Sequence, residues 1–305
     1  MKQSIGKVII DDTLYIGKDL YCDGDVEDEL LEIVSTYPES EYNRIIVERR
    51  SWPIMYHLSH VRENIVGWIP MNGTEEVLEI GSGCGAVTGA LARGAKHVTC
   101  IELSKKRSLI NANRHKDMDN IEILLGNFEE VEKTLTKKYD LITLIGVLEY
   151  GGSYIESEEP YKNFLQMIAN HLSENGKIVI AIENKMGMKY WAGCKEDHLS
   201  KYYAGIEGYE DVNHVRTFSK PELDELVKDA GFRHVTYYYP YPDYKFPNAI
   251  YSDEFLPKQG DLTDNLRNFD NERILTFDES KVFDSVIRDG TFPYFSNSFE
   301  VILQR

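Results

Sequence analysis

The chain has 305 residues, 42% of them hydrophobic. It has no apolar run near the roughly 20 residues that cross a bilayer, and no apolar core behind MKQSIGKVIIDD to mark a leader. Acids outnumber bases 51 to 34 for a formal charge of −17, with no basic stripe, so binding to phosphate backbones is disfavoured and the charge reads as solubility. Cys22, Cys84, Cys100 and Cys194 stand far apart without CxxC spacing, which argues against a disulfide frame or structural zinc and fits a reducing cytoplasm.

Residues 1–70 precede the first core strand as an extension. Within it Leu58, Val61, Ile65 and Trp68 fall at helical spacing, so 49–70 is expected to be a helix acting as a lid over the ligand cleft. Residues 71–305 carry no repeat and no low-complexity linker, and read as one α/β domain. Strands are expected at 77–81, 97–103, 121–127, 139–147 and 177–184, and helices at 84–93, 104–115, 128–136 and 160–174. Apolar strands alternating with amphipathic helices imply a parallel sheet covered on both faces.

"TFSKPELDELVKDAGF" (217–232) predicts a further helix with Ser219 as cap, Glu222 completing a capping box and Gly231 as stop. Strands at 234–239 and 297–305 follow without a crossover helix, so one of them is expected to be antiparallel. Insertions at 185–216 and 240–296 are expected to cover the acceptor site.

Behind the first strand, "VLEIGSGCGAVTGALA" places Gly81, Ser82, Gly83 and Gly85 in a turn nearly free of side chains, where backbone N–H groups can face a ligand. The spacing is G-x-G-x-G, not the G-x-G-x-x-G of nicotinamide enzymes, and Glu79 suits a ligand with amino groups better than a pyrophosphate. Glu102 at the end of the second strand is placed to accept from both ribose hydroxyls; a solvated strand-end acid is the other reading. Asn127 and Phe128 suit an adenine edge and face.

These motifs, with "YDLITLIGVLEY" and the 217–232 helix, resemble class I S-adenosylmethionine-dependent methyltransferases from residue 77 to about 240 and in the closing strand. The resemblance implies a Rossmann-like seven-stranded sheet, order 3-2-1-4-5-7-6, with strand 7 antiparallel. It implies S-adenosylmethionine as cofactor, held by Glu79, the glycine turn, Glu102, Leu103, Asn127, Phe128 and Ile145. Asn127 stands where that family often has Asp. Under this reading Tyr56 and Arg62 face the methionine portion, Arg62 on its carboxylate; a surface salt bridge is the alternative for Arg62. "IAIENKMGMKYWAGCKEDH", "YYPYPDYKFPNAIYSDEFLPKQG" and "FSNSFEVIL" are similar to bacterial methyltransferase domains of cell-surface polysaccharide assembly, which often accompany glycosyltransferases, implying a saccharide acceptor.

A hydroxyl acceptor needs a general base. His198 is the first candidate, with Asp197 or Glu196 to orient it, and Glu149 the second; each reads equally as a lining or surface residue. Glu196-Asp197-His198 lacks the i, i+4 spacing of a helical metal site, so no metal is expected. Nucleic-acid amino-methylating enzymes commonly carry an Asn/Asp-Pro-Pro-aromatic turn where this chain has Gly146 to Tyr150, which disfavours a nucleic-acid substrate further. Tyr150, Tyr190, Trp191, Tyr202 and Tyr241 are candidates for stacking on an acceptor, although "TYYYPYPDY" alternates as ordinary strand core also does. An O-methyltransferase on a saccharide is the leading expectation. An amino-sugar or small-metabolite N- or O-methyltransferase, a nicotinamide-dependent reductase and a non-catalytic nucleoside binder are the alternatives.

Overall fold

The computed structural model describes residues 1–19, 24–210, 214–265 and 272–305; Cys22 lies outside them. The chain forms two compact units, Met1–Leu144 with Ile168–Ile178 and Ile145–Met167 with Val179–Arg305.

The first unit opens with a hairpin, β1 (Lys2–Ile5) and β2 (Val8–Asp11), turning at Gly6. Three helices follow: α1 (Val26–Thr36), α2 (Tyr42–Arg49) and α3 (Trp52–Leu58). Their apolar faces meet in a cluster of Leu30, Ile33, Val34, Tyr42, Ile45, Ile54 and Leu58 with Cys84 and Ile110. The single helix expected over 49–70 is broken. Ser59 takes an extended conformation and its hydroxyl accepts from Val61 N, capping a 3-10 turn at His60–Glu63 before the short α4 (Asn64–Gly67). Leu58 and Ile65 are buried, whereas Trp68 is exposed.

Next come β3 (Glu76–Ile80), α5 (Thr88–Gly94), β4 (His97–Glu102), α6 (Lys105–Arg114), β5 (Ile121–Leu125), α7 (Phe128–Glu132) and β6 (Tyr139–Ile145). β3 lies parallel to both β4 and β6, and β4 parallel to β5. Val77, Leu78, Val98, Cys100 and Ile142 have no measurable exposure, as expected of strands covered on both faces. The helix expected from residue 84 starts at Thr88, because Gly85 at φ +78° lies outside the right-handed helical region.

In the second unit, α8 (Gly151–Tyr154) and α9 (Pro160–Ala169) precede β7 (Leu172–Glu183), whose first half belongs to the first unit and whose second half belongs to this one. Residues 172–174, expected to close a helix, instead open that strand. Then follow α10 (Met188–Trp191), α11 (Lys220–Asp229), β8 (His234–Tyr241), β9 (Ala249–Ser252), α12 (Glu279–Arg288), α13 (Phe292–Phe295) and β10 (Ser298–Gln304). The capping box of α11 forms between Ser219 and Glu222, and Gly231 takes φ +99° beyond its end.

The strands run β1-β2-β5-β4-β3-β6-β7-β10-β8-β9. The middle seven reproduce the expected order, and β10 is antiparallel to β8. Among the described residues the sheet has ten strands instead of seven: β2 adds parallel to β5, β1 pairs antiparallel with β2, and β9 adds antiparallel to β8. Val8 and Ile10 give β2 a buried face within a stretch too short to show strand periodicity by itself.

A buried ion pair ties α1 to α6. Arg107 Nε on α6 donates to Glu27 Oε1 on α1 at 2.8 Å, with the glutamate side chain fully buried. Removing one partner of a buried pair typically costs about 3–5 kcal/mol. Glu27→Ala should therefore lower stability by that order in urea unfolding; a loss below about 1 kcal/mol would show that the apolar cluster alone holds α1.

Candidate functional site

The first unit carries the glycine turn. Gly81, Gly83 and Gly85 have φ of +71°, +53° and +78°, a region that costs a side-chain-bearing residue about 1–2 kcal/mol. Their surroundings differ. A Cβ on Gly83 meets nothing within 4 Å, whereas one on Gly85 meets Asn111 Oδ1 at 2.4 Å and His115 Cε1 at 2.9 Å. Gly83 thus faces open space, and Gly85 is glycine because α6 presses against it.

Glu102 holds the turn. Its Oε2 accepts from Gly83 N at 2.7 Å, and its Oε1 accepts from Leu103 N at 2.8 Å and Ser104 N at 2.9 Å. A carboxylate offers about four acceptor sites, so these three bonds leave one, on Oε2. The bidentate grip on two ribose hydroxyls expected from the sequence would thus compete with these backbone groups for the acceptor sites of Glu102. Burial pushes its carboxyl upward, against the pull of those N–H groups and of Arg107.

Glu79 is turned inward, 3% exposed, where its Oε2 accepts from Thr88 Oγ1 at 2.6 Å and Cys100 Sγ at 3.4 Å. Burial pushes it up to about 7. The chain of contacts continues as Asn111 Nδ2 donates to Thr88 Oγ1 and His115 Nδ1 lies 2.9 Å from Asn111 Oδ1. Burial lowers His115 to about 3, so its ring is neutral. Ser82 is buried. Asn127 caps α7, its Oδ1 accepting from Glu129 N, so that oxygen is already engaged; Phe128 is buried and Ile145 half-buried. The buried Arg62 places its guanidinium 4.3 Å from the centre of the Tyr56 ring and donates to the Tyr56 hydroxyl.

The second unit carries a cluster of acids and bases. One ligating atom from each of Glu149, Glu183 and His198 lies within 4.8 Å of the others. His198 Nδ1 is 3.2 Å from the Tyr150 hydroxyl, and its Nε2 is 3.7 Å from Glu183 Oε2. Neither expected orienting acid faces the ring. Glu196 accepts from the backbone N of His198 and Leu199 and from the Tyr209 hydroxyl, and Asp197 pairs with Lys189, Lys245 and the Tyr190 hydroxyl. Lys245 Nζ also lies 2.7 Å from Glu183 Oε1.

Burial, with Glu183 beside it, pushes Glu149 up to about 8. Burial would raise Glu183 too, but Lys245 and His198 outweigh it and hold that carboxyl well below its ordinary value. Burial would lower His198, and the neighbouring carboxylates overcome it to bring the imidazole to about 9. Sequence reasoning missed Lys245, which lies among the tyrosines of 237–251 with no local pattern to single it out.

The remaining aromatic candidates are distributed differently. Tyr190 is buried with its hydroxyl on Asp197, and Tyr241 is buried with its hydroxyl donating to Asn265 Oδ1 and accepting from Asp264 N. Tyr202 is half-buried, and Trp191 is 38% exposed, its Nε1 donating to Met186 O. Tyr237 and Tyr239 stack and meet Phe299 edge-on, so this alternation fills core.

A family model described as a methyltransferase domain matches residues 54–237. A ribosomal RNA small subunit methyltransferase A of Mesomycoplasma hyopneumoniae (strain 232) is 29% identical over 183 residues, 57% of this chain and 64% of that protein, so the chain spans just under two thirds of that relative. Its counterpart in Malacoplasma penetrans (strain HF-2) is 25% identical over 74% of this chain and 80% of its own length. The crystal structure of a SAM-dependent methyltransferase from Archaeoglobus fulgidus superposes with a TM-score of 0.50 at 14% identity, covering 80% of this chain and 93% of that one, a likeness of fold.

The two glycine environments separate by mutation. Gly83→Ala should cost only backbone strain, about 1–2 kcal/mol, while Gly85→Ala adds a clash with Asn111 and His115 and should unfold at clearly lower temperature. Equal melting temperatures would contradict this assignment.

Proposed function

The chain belongs to the methyltransferase domain family and is an enzyme that uses S-adenosylmethionine; from that premise we propose that it methylates a hydroxyl of a saccharide or saccharide-linked precursor. The observation that carries the acceptor chemistry is the convergence of Glu149, Glu183 and His198 within 4.8 Å in a buried setting. An amine acceptor needs no such group, since it attacks through its own lone pair once neutral; a hydroxyl must give up its proton as it attacks.

The glycine turn fits the cofactor. Gly83 offers open space against its backbone, and Glu102 keeps one acceptor site on Oε2. In this reading Gly81, Ser82, Gly83 and Gly85 shape the site around the methionine portion, Glu102 accepts from the ribose, and Leu103, Asn127, Phe128 and Ile145 take the adenosine side. Glu79 acts from below, bracing the turn through Thr88. Arg62, presented on the Tyr56 ring, takes the carboxylate. The cofactor supplies an already activated methyl group, so the residues of this chain need only align the nucleophile, exclude water and remove its proton.

The cluster following β6 and β7 receives that proton. Glu149 is the candidate acceptor, because burial raises its affinity for a proton into the range useful near neutral pH. His198, set between Glu183 and the Tyr150 hydroxyl, acts as a positioning group and not as the free base expected from sequence. Tyr150, Trp191 and Tyr202 are the aromatic groups proposed to meet a sugar face, while Tyr190 and Tyr241 are buried with their hydroxyls already bonded within the protein. A saccharide acceptor fits association with glycosyltransferases, and buried thiols at Cys84, Cys100 and Cys194 fit a cytoplasmic setting. No helix among the described residues is long and apolar enough to cross a membrane.

RNA is the second reading, favoured by the names of the curated relatives. Against it stand the charge of −17 and the Gly146–Tyr150 segment after β6. Labelled methyl transfer from S-adenosylmethionine to nucleotide sugars, oligosaccharides, amino sugars and small-subunit ribosomal RNA decides among them. The expected result is label on a sugar oxygen, with kcat reduced about 10²–10⁴-fold by Glu149→Gln. Label on RNA or on an amine would overturn the proposed acceptor.

A further inference from the structure

We infer that Glu149, Glu183 and His198 bind one divalent transition-metal cation. Geometry comes first. The three side chains come from different segments, the turn after β6, the end of β7 and the loop at 197–199, yet each brings a ligating atom within 4.8 Å of the others. Glu149 is 1% exposed and Glu183 0%, and the His198 side chain is 9% exposed. Glu149 Oε2 and His198 Nε2 are buried without a hydrogen-bond partner, a costly state for polar atoms. The 3.7 Å between His198 Nε2 and Glu183 Oε2 is too long for a hydrogen bond. It is close to the separation of donor atoms around a metal, roughly 3–3.5 Å for bonds of about 2.0–2.2 Å.

Charge is compatible with the geometry. With Glu149 ionised and His198 neutral, the carboxylates of Glu149, Glu183, Asp197 and the half-buried Asp243 exceed the ammonium groups of Lys189 and Lys245 by two charges, and a divalent cation would stand in for the protons that the empty site favours on Glu149 and His198. Glu196 is separate, its carboxylate taken up by two backbone N–H groups and a hydroxyl. Buried charge must be balanced, and one divalent cation balances it with a neutral imidazole as ligand. In the tautomer whose Nδ1–H donates to the Tyr150 hydroxyl, Nε2 presents its lone pair to the carboxylates, as metal-bound histidines commonly do. Lys245 on Oε1 of Glu183 leaves Oε2 for the ion.

One imidazole and two carboxylates suit Mn²⁺, Fe²⁺ or Zn²⁺ better than the all-oxygen preference of Ca²⁺ or Mg²⁺. Three protein ligands leave open positions for an acceptor oxygen, whose proton a metal makes more acidic. Each carboxylate needs only one oxygen for the ion, so Glu149 keeps the other for that proton. This role rests on the hydroxyl acceptor proposed above; the binding itself does not.

The test uses the full chain, treated with chelator and titrated with Mn²⁺, with free ion counted by electron paramagnetic resonance and the bound ion examined for ¹⁴N modulation. One ion per chain with coupling to one imidazole nitrogen is expected. Glu149→Gln and His198→Gln should each weaken binding about tenfold or more, and His198→Gln should abolish the coupling. Absence of stoichiometric Mn²⁺ in the unmodified protein, or bound Mn²⁺ without nitrogen coupling, overturns the site and leaves protons on Glu149 and His198 as the balancing charge. Both readings come from the unmodified chain, so they stand even where a variant fails to fold. S-adenosylhomocysteine binding in the same samples reports separately on the methyltransferase assignment, and its failure beside intact Mn²⁺ binding would count against that assignment alone.

Discussion

The first unit turns on one buried carboxylate. Glu102 ends β4 inside the protein, where an unsolvated charge is expensive, and three backbone N–H groups from Gly83, Leu103 and Ser104 compensate it. Those bonds fasten the end of the strand, the entry to α6 and the middle of the glycine turn to a single side chain. Losing Glu102 would thus free the turn as well as remove an acceptor. The backbone at Gly83 can adopt its left-handed conformation because no side chain opposes it, and Gly85 can let α6 close in for the same reason.

Beneath this sits the line Glu79, Thr88, Asn111 and His115, which ties β3, α5 and α6 together through polar contacts in a dry interior. A neutral His115 and a Glu79 that titrates near 7 keep that line low in charge, as a low-dielectric interior favours. The second unit solves the opposite problem. It concentrates charge, with lysines and carboxylates paired in alternation around Asp197 and Glu183, and leaves Glu149 and His198 at the end of that network. One unit exposes backbone at a turn that lacks side chains, and the other gathers ionisable side chains in its interior.

The parts of this arrangement legible in the sequence are those written locally. Apolar runs marked five core strands within a few residues, Ser219 and Glu222 announced a capping box that forms, and the glycine spacing marked the turn. Glu149 and His198 were visible because they follow expected strands. What escaped depends on distant partners. Val8 and Ile10 become a strand only because β5 lies beside them, and Ala249–Ser252 only because of β8. Ser59 breaks a helix whose apolar spacing ran on through it. Lys245 reaches Glu183 across 62 positions of sequence, and Glu102 spends acceptor sites on backbone groups that no pattern reveals.

The measurement that bears most directly on this account is calorimetric titration with S-adenosylhomocysteine, beside NADH, of the unmodified protein and of Glu102→Ala. Micromolar binding of S-adenosylhomocysteine, none of NADH, and a loss of about 100-fold or more in the variant are predicted, since the substitution removes an anchoring acceptor and three bonds that order the turn. Unchanged affinity in Glu102→Ala, or binding of NADH in place of S-adenosylhomocysteine, would contradict it.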